Sequence, residues 1–144
     1  MSATRDDIVR LHFQGVWNAQ QLELLPRTAG VFCVYRQGLD EERGVMRLRE
    51  LLYIGSGGDV RASIIEGLGS CGWGDRLDRG EKLAFSVASC EANAANESAG
   101  ALTQLLAPPC NTPSDASCRR RRLAITGLVD CFNDVLRRRE RTVP

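Results

Sequence analysis

The chain is poor in histidine and lacks the cysteine spacing that is typical of metal sites. His12 is the only histidine, and the six cysteines include no Cys-x-x-Cys pair. Structural zinc sites usually combine such pairs with histidine, so a resident zinc ion is not expected. Several cysteines, for example Cys33, lie inside apolar runs. They are predicted to be small buried hydrophobic residues in a reducing compartment.

Long uncharged apolar runs and a secretory signal are also missing. No stretch approaches the ~18 residues that a membrane span requires. Residues 1–7 do not show the basic segment followed by an apolar one that is typical of a signal peptide. We therefore expect a cytoplasmic protein without a membrane partner. The 144 residues, 43% of them hydrophobic, have the size and composition of a single domain, predicted over residues 1–144.

The net charge of +1 is unevenly distributed along the chain. Residues 112–144 contain eight arginines and four acidic residues, whereas residues 1–111 contain more acidic than basic residues. The run Arg119-Arg120-Arg121-Arg122 and a second run at residues 137–139 could contact phosphates, which makes DNA or RNA a candidate partner. Alternatively, both runs are solvated helix ends or contact the acidic part of the chain.

Hydrophobic periodicity predicts an α+β domain. Residues 29–36, 45–54 and 82–90 combine β-branched, aromatic and alternating apolar residues, which predicts three strands. The first two are joined by a short polar loop at residues 37–44, so they should pair antiparallel. An alanine-rich helix is predicted over residues 92–107, ahead of two prolines.

The remaining elements are predicted from caps and turns. Asn18 is expected to cap a short helix at residues 19–25, and Asp59 to cap a longer amphipathic helix. Residues 123–139 should form a further strand or helix. Gly55-Ser56-Gly57-Gly58 could bind an anion through backbone amides ahead of a helix, but it lacks the lysine and the spacing of a phosphate-binding P-loop. A tight turn between strand and helix is the preferred interpretation.

Three segments resemble the signature blocks of the GIY-YIG nucleases. Gly30-Val31-Phe32 lies in the first predicted strand, and Tyr53-Ile54-Gly55 closes the second. The segment from Leu102 to Asn111, with its two prolines, is similar to the closing block of the family. The resemblance covers residues 17–111. It implies a small three-stranded antiparallel sheet flanked by helices, with residues 112–144 as an arginine-rich extension.

The resemblance also implies which positions carry the chemistry. In the family a tyrosine of the first block helps to activate water, a helix arginine steadies the phosphate, and a glutamate holds a divalent cation that offsets the negative charge of the transition state. The tyrosine position is Phe32 in this chain, the arginine position is Ser63, and the glutamate position is Ala99. A tyrosine or histidine position on the same helix as Ser63 is Gly67.

Two functional positions of the family, Tyr53 and Asn111, keep their residue type. Because the other four positions have lost their reactive groups, the resemblance implies a nuclease-like domain that has lost catalysis, needs no cofactor, and acts as a nucleic-acid-binding or regulatory protein-binding module. The alternative is an active DNA endonuclease that uses Mg²⁺ or Mn²⁺ with relocated residues, for instance Arg61 together with Glu66 or Glu97. Arg61 and Glu97 each lie two positions from the family site, about 200° around a helix, which is unfavourable for phosphate or metal contact.

Overall fold

The computed structural model of the chain describes residues 8–112, 115, 122–128 and 141–143. These residues form seven strands, two α-helices and two short 3-10 helices. The strands are β1 (Ile8–His12), β2 (Gln14–Asn18), β3 (Gly30–Asp40), β4 (Val45–Gly57), β5 (Lys82–Ser89), β6 (Arg122–Thr126) and β7 (Arg141–Val143). The α-helices are α1 (Val60–Ser70) and α2 (Ala92–Leu106), and the 3-10 helices are Leu22–Leu24 and Trp73–Arg76.

A four-stranded antiparallel sheet with the order β2-β5-β3-β4 forms the centre of the fold. The β3–β4 hairpin turns at Asp40, whose carbonyl oxygen accepts hydrogen bonds from the backbone N–H groups of Arg43 and Gly44. Gly44 has a φ of +67°, which favours glycine over residues with a Cβ. Two register shifts leave Leu52 and Arg49 as extra residues of β4. Such bulges bend and twist the strand that contains them.

A second sheet joins the first strand of the chain to the last strands. Its order is β1-β6-β7, with β1 parallel to β6 and β7 antiparallel to it. Leu11 of β1 and Leu123 of β6 are buried. His12 is exposed at the end of β1, where its Nδ1 atom lies 2.6 Å from the hydroxyl oxygen of Thr126.

The four-stranded sheet separates two hydrophobic cores. Val31, Cys33 and Tyr35 of β3 point into a first core, which also contains the buried side of α2. Phe32 and Val34 alternate with them and point into a second core, which also contains the buried side of α1. Because successive side chains of a strand point to opposite faces, α1 and α2 cover opposite faces of the sheet.

The predicted α+β class is confirmed. The three predicted strands are β3, β4 and β5, and each of the two long predicted helices is present. The sheet, however, has four strands where three were expected, because β2 adds to the free edge of β5. The predicted loop at residues 37–44 was too long, since β3 continues to Asp40 and β4 begins at Val45.

The short helix predicted at residues 19–25 is present only as the 3-10 helix Leu22–Leu24, and the prediction that Asn18 caps it is wrong, because Gln21 is the residue that precedes its first turn. Asn18 ends β2, and the tryptophan before it, Trp17, pairs with Phe85 of β5 and packs against the second core. The Asn18 side chain instead accepts a hydrogen bond from the backbone N–H of Gln20 and stabilises a turn. Of residues 123–139, the described part up to Thr126 is a strand, and residues 129–140 lie outside the described residues. Across the described residues, no helix is long and apolar enough to cross a membrane.

Candidate functional site

Phe32 and Tyr53, from the first two signature segments, lie side by side on the α1 face of the sheet. Phe32 is opposite Gly55 in the β3–β4 register, and Tyr53 is opposite Val34. The two rings have a centroid separation of 6.0 Å. A Cβ at Gly55 would lie 2.5 Å from the Phe32 ring and 2.8 Å from the Tyr53 ring. Gly55 is therefore required for these two rings to occupy this part of the sheet.

Trp73 completes an aromatic cluster with these rings. Its ring centroid lies 5.3 Å from that of Tyr53, 6.2 Å from that of Phe32 and 6.4 Å from that of Phe85. The Trp73 side chain is almost fully buried, with 1% of the residue exposed. Tyr53 is half-buried and forms the accessible margin of the cluster. The cluster is held by apolar and ring contacts, which fix the orientation of Tyr53.

Gly67 provides the space that Trp73 occupies. Gly67 is buried in α1, and a Cβ at this position would collide with the six-membered ring of the Trp73 indole. The position at which the resemblance implies a tyrosine or histidine is thus filled from another part of the chain. The indole fills the space with a different chemistry, because its only polar group is a hydrogen-bond donor.

Burial of Tyr53 has a direct electrostatic consequence. Burial raises the pKa of the Tyr53 hydroxyl above its ordinary value of 10.0, and the nearby charges of Asp115 and Cys71 raise it further. The phenol is therefore harder to deprotonate than a free tyrosine. This environment favours a neutral hydroxyl that donates or accepts a hydrogen bond, and it disfavours a phenolate base.

Ser63 and Arg61 occupy the first turn of α1. Asp59 caps this helix through the backbone N–H of Ala62. The Ser63 hydroxyl lies so close to Gly57 that a Cβ on that glycine would collide with it. Arg61 directs Nε and Nη2 to the carbonyl oxygen of Leu25, at 2.9 Å and 2.6 Å. The Arg61 guanidinium is therefore engaged in holding the loop before β3.

Ala99 and Glu97 lie on the helix that covers the opposite face. Ala99 is only 6% exposed and belongs to the first core, whereas Phe32 and Trp73 belong to the second. Glu97 is half-buried on the same helix. Glu66 of α1 is exposed. The sheet thus lies between the glutamate position implied by the resemblance and the aromatic cluster.

Asn111 is a backbone-binding residue in this structure. Its side-chain oxygen accepts a hydrogen bond from the backbone N–H of Ile54, and its side-chain nitrogen donates to the carbonyl oxygen of the same residue, both at 2.9 Å. The adjacent backbone N–H of Cys110 donates to the carbonyl oxygen of Leu52. Asp115 accepts hydrogen bonds from Asn111 and from the backbone of Thr112. These contacts cover the outer edge of β4 beside Tyr53.

The residues present do not fit the magnesium site that the resemblance implies. The glutamate position is an alanine with no oxygen ligand, and it lies in the first core. Among the described residues, no group of three or more histidine, cysteine, aspartate or glutamate side chains is placed to hold a metal ion. The arginine run was predicted to bind nucleic acid; Arg119, Arg120 and Arg121 lie outside the described residues, and Arg122 is exposed at the start of β6.

Trp73 belongs to the site although no sequence pattern marked it as a functional residue. A tryptophan placed between Gly72 and Gly74 in a glycine-rich stretch after α1 was the available signal. This signal does not reveal the role of Trp73 by itself. Gly67, near the end of α1, has no side chain, and the Trp73 indole occupies the space that this leaves. Comparison of the chain with protein-family models, with curated proteins and with solved structures gives no match.

Proposed function

We propose that this chain is a nuclease-like domain of the GIY-YIG type that does not cleave nucleic acid and acts as a binding module through the Tyr53 face. Two aspects of the fold support the proposal. The strands with the two signature segments are adjacent and antiparallel, and α1 follows the second of them directly. The glycines of both segments also occupy crowded positions, since a Cβ at Gly30 would collide with the carbonyl oxygen of Ala88 and one at Gly55 with two rings.

The observation that carries the proposal is the chemical composition of the α1 face. Cleavage of a phosphodiester requires a group that activates water and cationic groups that offset the charge of the transition state. On this face, Phe32 has no hydroxyl, and Trp73 fills the space over Gly67. The remaining tyrosine, Tyr53, has a raised pKa. The face presents one accessible aromatic side chain, Tyr53, above buried rings, which suits binding better than phosphoryl transfer.

The alternative is an active Mg²⁺- or Mn²⁺-dependent DNA endonuclease with relocated residues. One contact and one placement weigh against it. Arg61 already gives two donors to the carbonyl oxygen of Leu25, and withdrawing it would leave that oxygen without them. Glu97 belongs to α2, which covers the face of the sheet opposite to Tyr53. A metal held by Glu97 would therefore be separated from Tyr53 by the sheet itself.

Nucleic acid is the proposed ligand, and a protein partner is the second candidate. Arg76, one of several described basic residues, is exposed in the 3-10 helix that contains Trp73. The arginine run at residues 119–122 would add phosphate contacts. Phosphate contacts release counterions, so binding of this kind weakens steeply as the salt concentration rises. Binding of a protein through apolar contacts would depend much less on salt.

The proposal is tested by measuring cleavage and binding on the same samples. Labelled single- and double-stranded DNA and RNA are incubated with the protein and with Mg²⁺ or Mn²⁺, and binding is measured by fluorescence anisotropy at two salt concentrations. We expect intact strands, salt-sensitive binding, and weaker binding by Tyr53→Ala than by the control Met46→Ala. Met46 is exposed on the β3–β4 hairpin, so its truncation leaves the Tyr53 face unchanged. Cutting that disappears with chelator would establish the alternative.

A further inference from the structure

Trp73 is the only buried residue in its segment. From Cys71 to Arg76, every other residue is exposed, and the 3-10 helix Trp73–Arg76 buries this one side chain. Gly72 has a left-handed φ of +69°, and a Cβ at Gly74 would meet open space. The indole is thus a single anchor on a solvent-facing segment with a glycine on each side. Glycine on both sides lowers the barrier to a change of backbone conformation.

The buried indole makes no hydrogen bond through its nitrogen. Trp73 Nε1 is inaccessible to solvent and has no acceptor among the residues that the structure describes. Buried tryptophan N–H groups usually find a partner, because an unpaired donor loses its hydrogen bonds to water without compensation. Moving Trp73 into solvent would satisfy this donor. The unpaired N–H therefore offsets part of the apolar stabilisation that keeps the indole in place.

The space that Trp73 fills has the shape of a flat ring system. Phe32, Tyr53 and Phe85 bound it, and Gly67 lines the side of α1 without a side chain. We call this space the Trp73 slot. Tyr53, one of its walls, is half-exposed, so the slot lies directly beside the surface. A vacated slot would offer ring faces and edges to a planar aromatic group and would reject a bulkier saturated one.

We propose that Trp73 is a removable plug, and that its displacement opens the Trp73 slot to a planar aromatic group of a ligand. The closed form is the ground state, and the ligand selects the minor open form. In the closed form Trp73 competes with the ligand, which makes the contact between Trp73 and Gly67 autoinhibitory. The inference rests on the proposed function only in taking this face as the binding face. It makes no use of nucleic-acid binding.

Two glycines of α1 provide a matched pair of variants for the plug. A Cβ at Gly67 collides with the seated indole, whereas a Cβ at Gly69 meets nothing within 4 Å. In ¹⁵N-labelled protein the two tryptophans give two indole N–H signals, which Trp17→Phe assigns. We expect Gly67→Ala to move the Trp73 signal to the position of a solvated indole and to accelerate its exchange with water about tenfold. Gly69→Ala should leave that signal unchanged.

The ligand part of the proposal is tested with free benzimidazole as a planar probe and cyclohexanol as a saturated control. In the unaltered protein, benzimidazole should shift the Trp73 signal saturably toward the solvated position, and cyclohexanol should not. Trp73→Ala should bind benzimidazole at least about tenfold more tightly because the competing plug is gone. Where Trp73→Ala does not fold, the saturable shift of the Trp73 signal in the unaltered protein tests the same competition.

Three results would overturn the inference. The first is a Trp73 signal that stays in place in Gly67→Ala. The second is loss of the far-ultraviolet circular dichroism spectrum in Gly67→Ala, because Trp73 would then be inseparable from the core. The third is the absence of any response to benzimidazole in the unaltered protein and in the variants. Failure of DNA or RNA to bind would contradict the proposed function and would leave all three of these measurements unaffected.

Discussion

The side-chain oxygen of Asn111 accepts a hydrogen bond from the backbone N–H of Ile54, and the side-chain nitrogen of Asn111 donates one to the carbonyl oxygen of Ile54. β4 is an edge strand, and its outward backbone groups would otherwise remain unpaired by strand contacts. Asn111 thus acts in place of one residue of a further strand. It also fixes the strand residue that follows Tyr53, so the retained asparagine contributes to the site by positioning it.

Replacing Asn111 should destabilise the fold measurably. Asn111→Ala removes both hydrogen bonds to Ile54, and we expect the free energy of unfolding to fall by about 2 kcal/mol. Urea titration followed by circular dichroism measures this change. Asn96→Ala, at an exposed position of α2, is the control and should change stability by less than about 0.5 kcal/mol. Equal stability of the two variants would show that the contacts with Ile54 contribute nothing.

Placing a glutamate at Ala99, the position at which the resemblance implies one, should destabilise the fold. Ala99 is 6% exposed in the first core, and Ala99→Glu would bury a charge there without a partner. We expect a loss of about 3–5 kcal/mol in the free energy of unfolding. Asn96→Glu places the same side chain on an exposed position of α2 and should be nearly neutral. A stable Ala99→Glu variant that gains Mg²⁺-dependent cleavage would contradict the placement of this position on the opposite face.

Local patterns were sufficient to predict the elements that carry the signature segments. Of the predicted strands, residues 30–36 lie within β3 and residues 45–54 lie within β4, and the capping role of Asp59 was correct. The prediction for Asn18 failed because a long-range contact decided the conformation there. Trp17 pairs with Phe85, far along the chain, and this pairing extends β2 through a position that resembles a helix cap.

The site was predictable as a set of positions but not as an arrangement. Alternation along β3 predicts that Phe32 points to one face of the sheet. The sequence alone did not show that α2 covers the opposite face and that Ala99 is therefore separated from Phe32. Arg61 was judged from its helical angle, and its hydrogen bonds to Leu25 depend on a loop conformation that no local pattern specifies. The contact between Trp73 and Gly67 depends on the path of the chain after α1, which the sequence pattern does not specify.

The ion pairs of the buried Glu81 carboxylate should make stability fall in acid. Glu81 accepts hydrogen bonds from Arg36 at 2.5 Å and from Arg49 at 3.3 Å, and its side chain is 1% exposed. Burial alone would raise the pKa of the Glu81 carboxyl, but the hydrogen bond from the Asp78 backbone and the two arginines outweigh it and lower the pKa below 4.5. The stabilisation is therefore present above the unfolded-state pKa and is lost as the pH falls through the folded-state value.

Glu81→Gln tests the contribution of these ion pairs. Because the variant has no titrating carboxyl at this position, its stability should depend less on pH between about pH 5 and pH 3. At neutral pH it should be less stable, since Arg36 and Arg49 lose the charge of their buried partner. Thermal unfolding measured across this pH range gives both quantities. Glu41→Gln, on the exposed hairpin turn, is the control and should keep the pH profile of the unaltered protein.

The raised pKa of Tyr53 should appear in the alkaline titration of the protein. The chain has two tyrosines, so subtracting the ultraviolet titration of Tyr53→Phe isolates the signal of Tyr53. Burial is the main cause of the rise, and Asp115 adds to it, so we expect a midpoint above 10.0 that moves down in Asp115→Asn. Since the folded-state pKa lies above the unfolded-state value, the neutral phenol stabilises the fold fully below about pH 10. That stabilisation is lost as the pH rises through the folded-state pKa. A Tyr53 midpoint at or below that of a free tyrosine would mean that the hydroxyl is solvated, which would contradict the burial of this group.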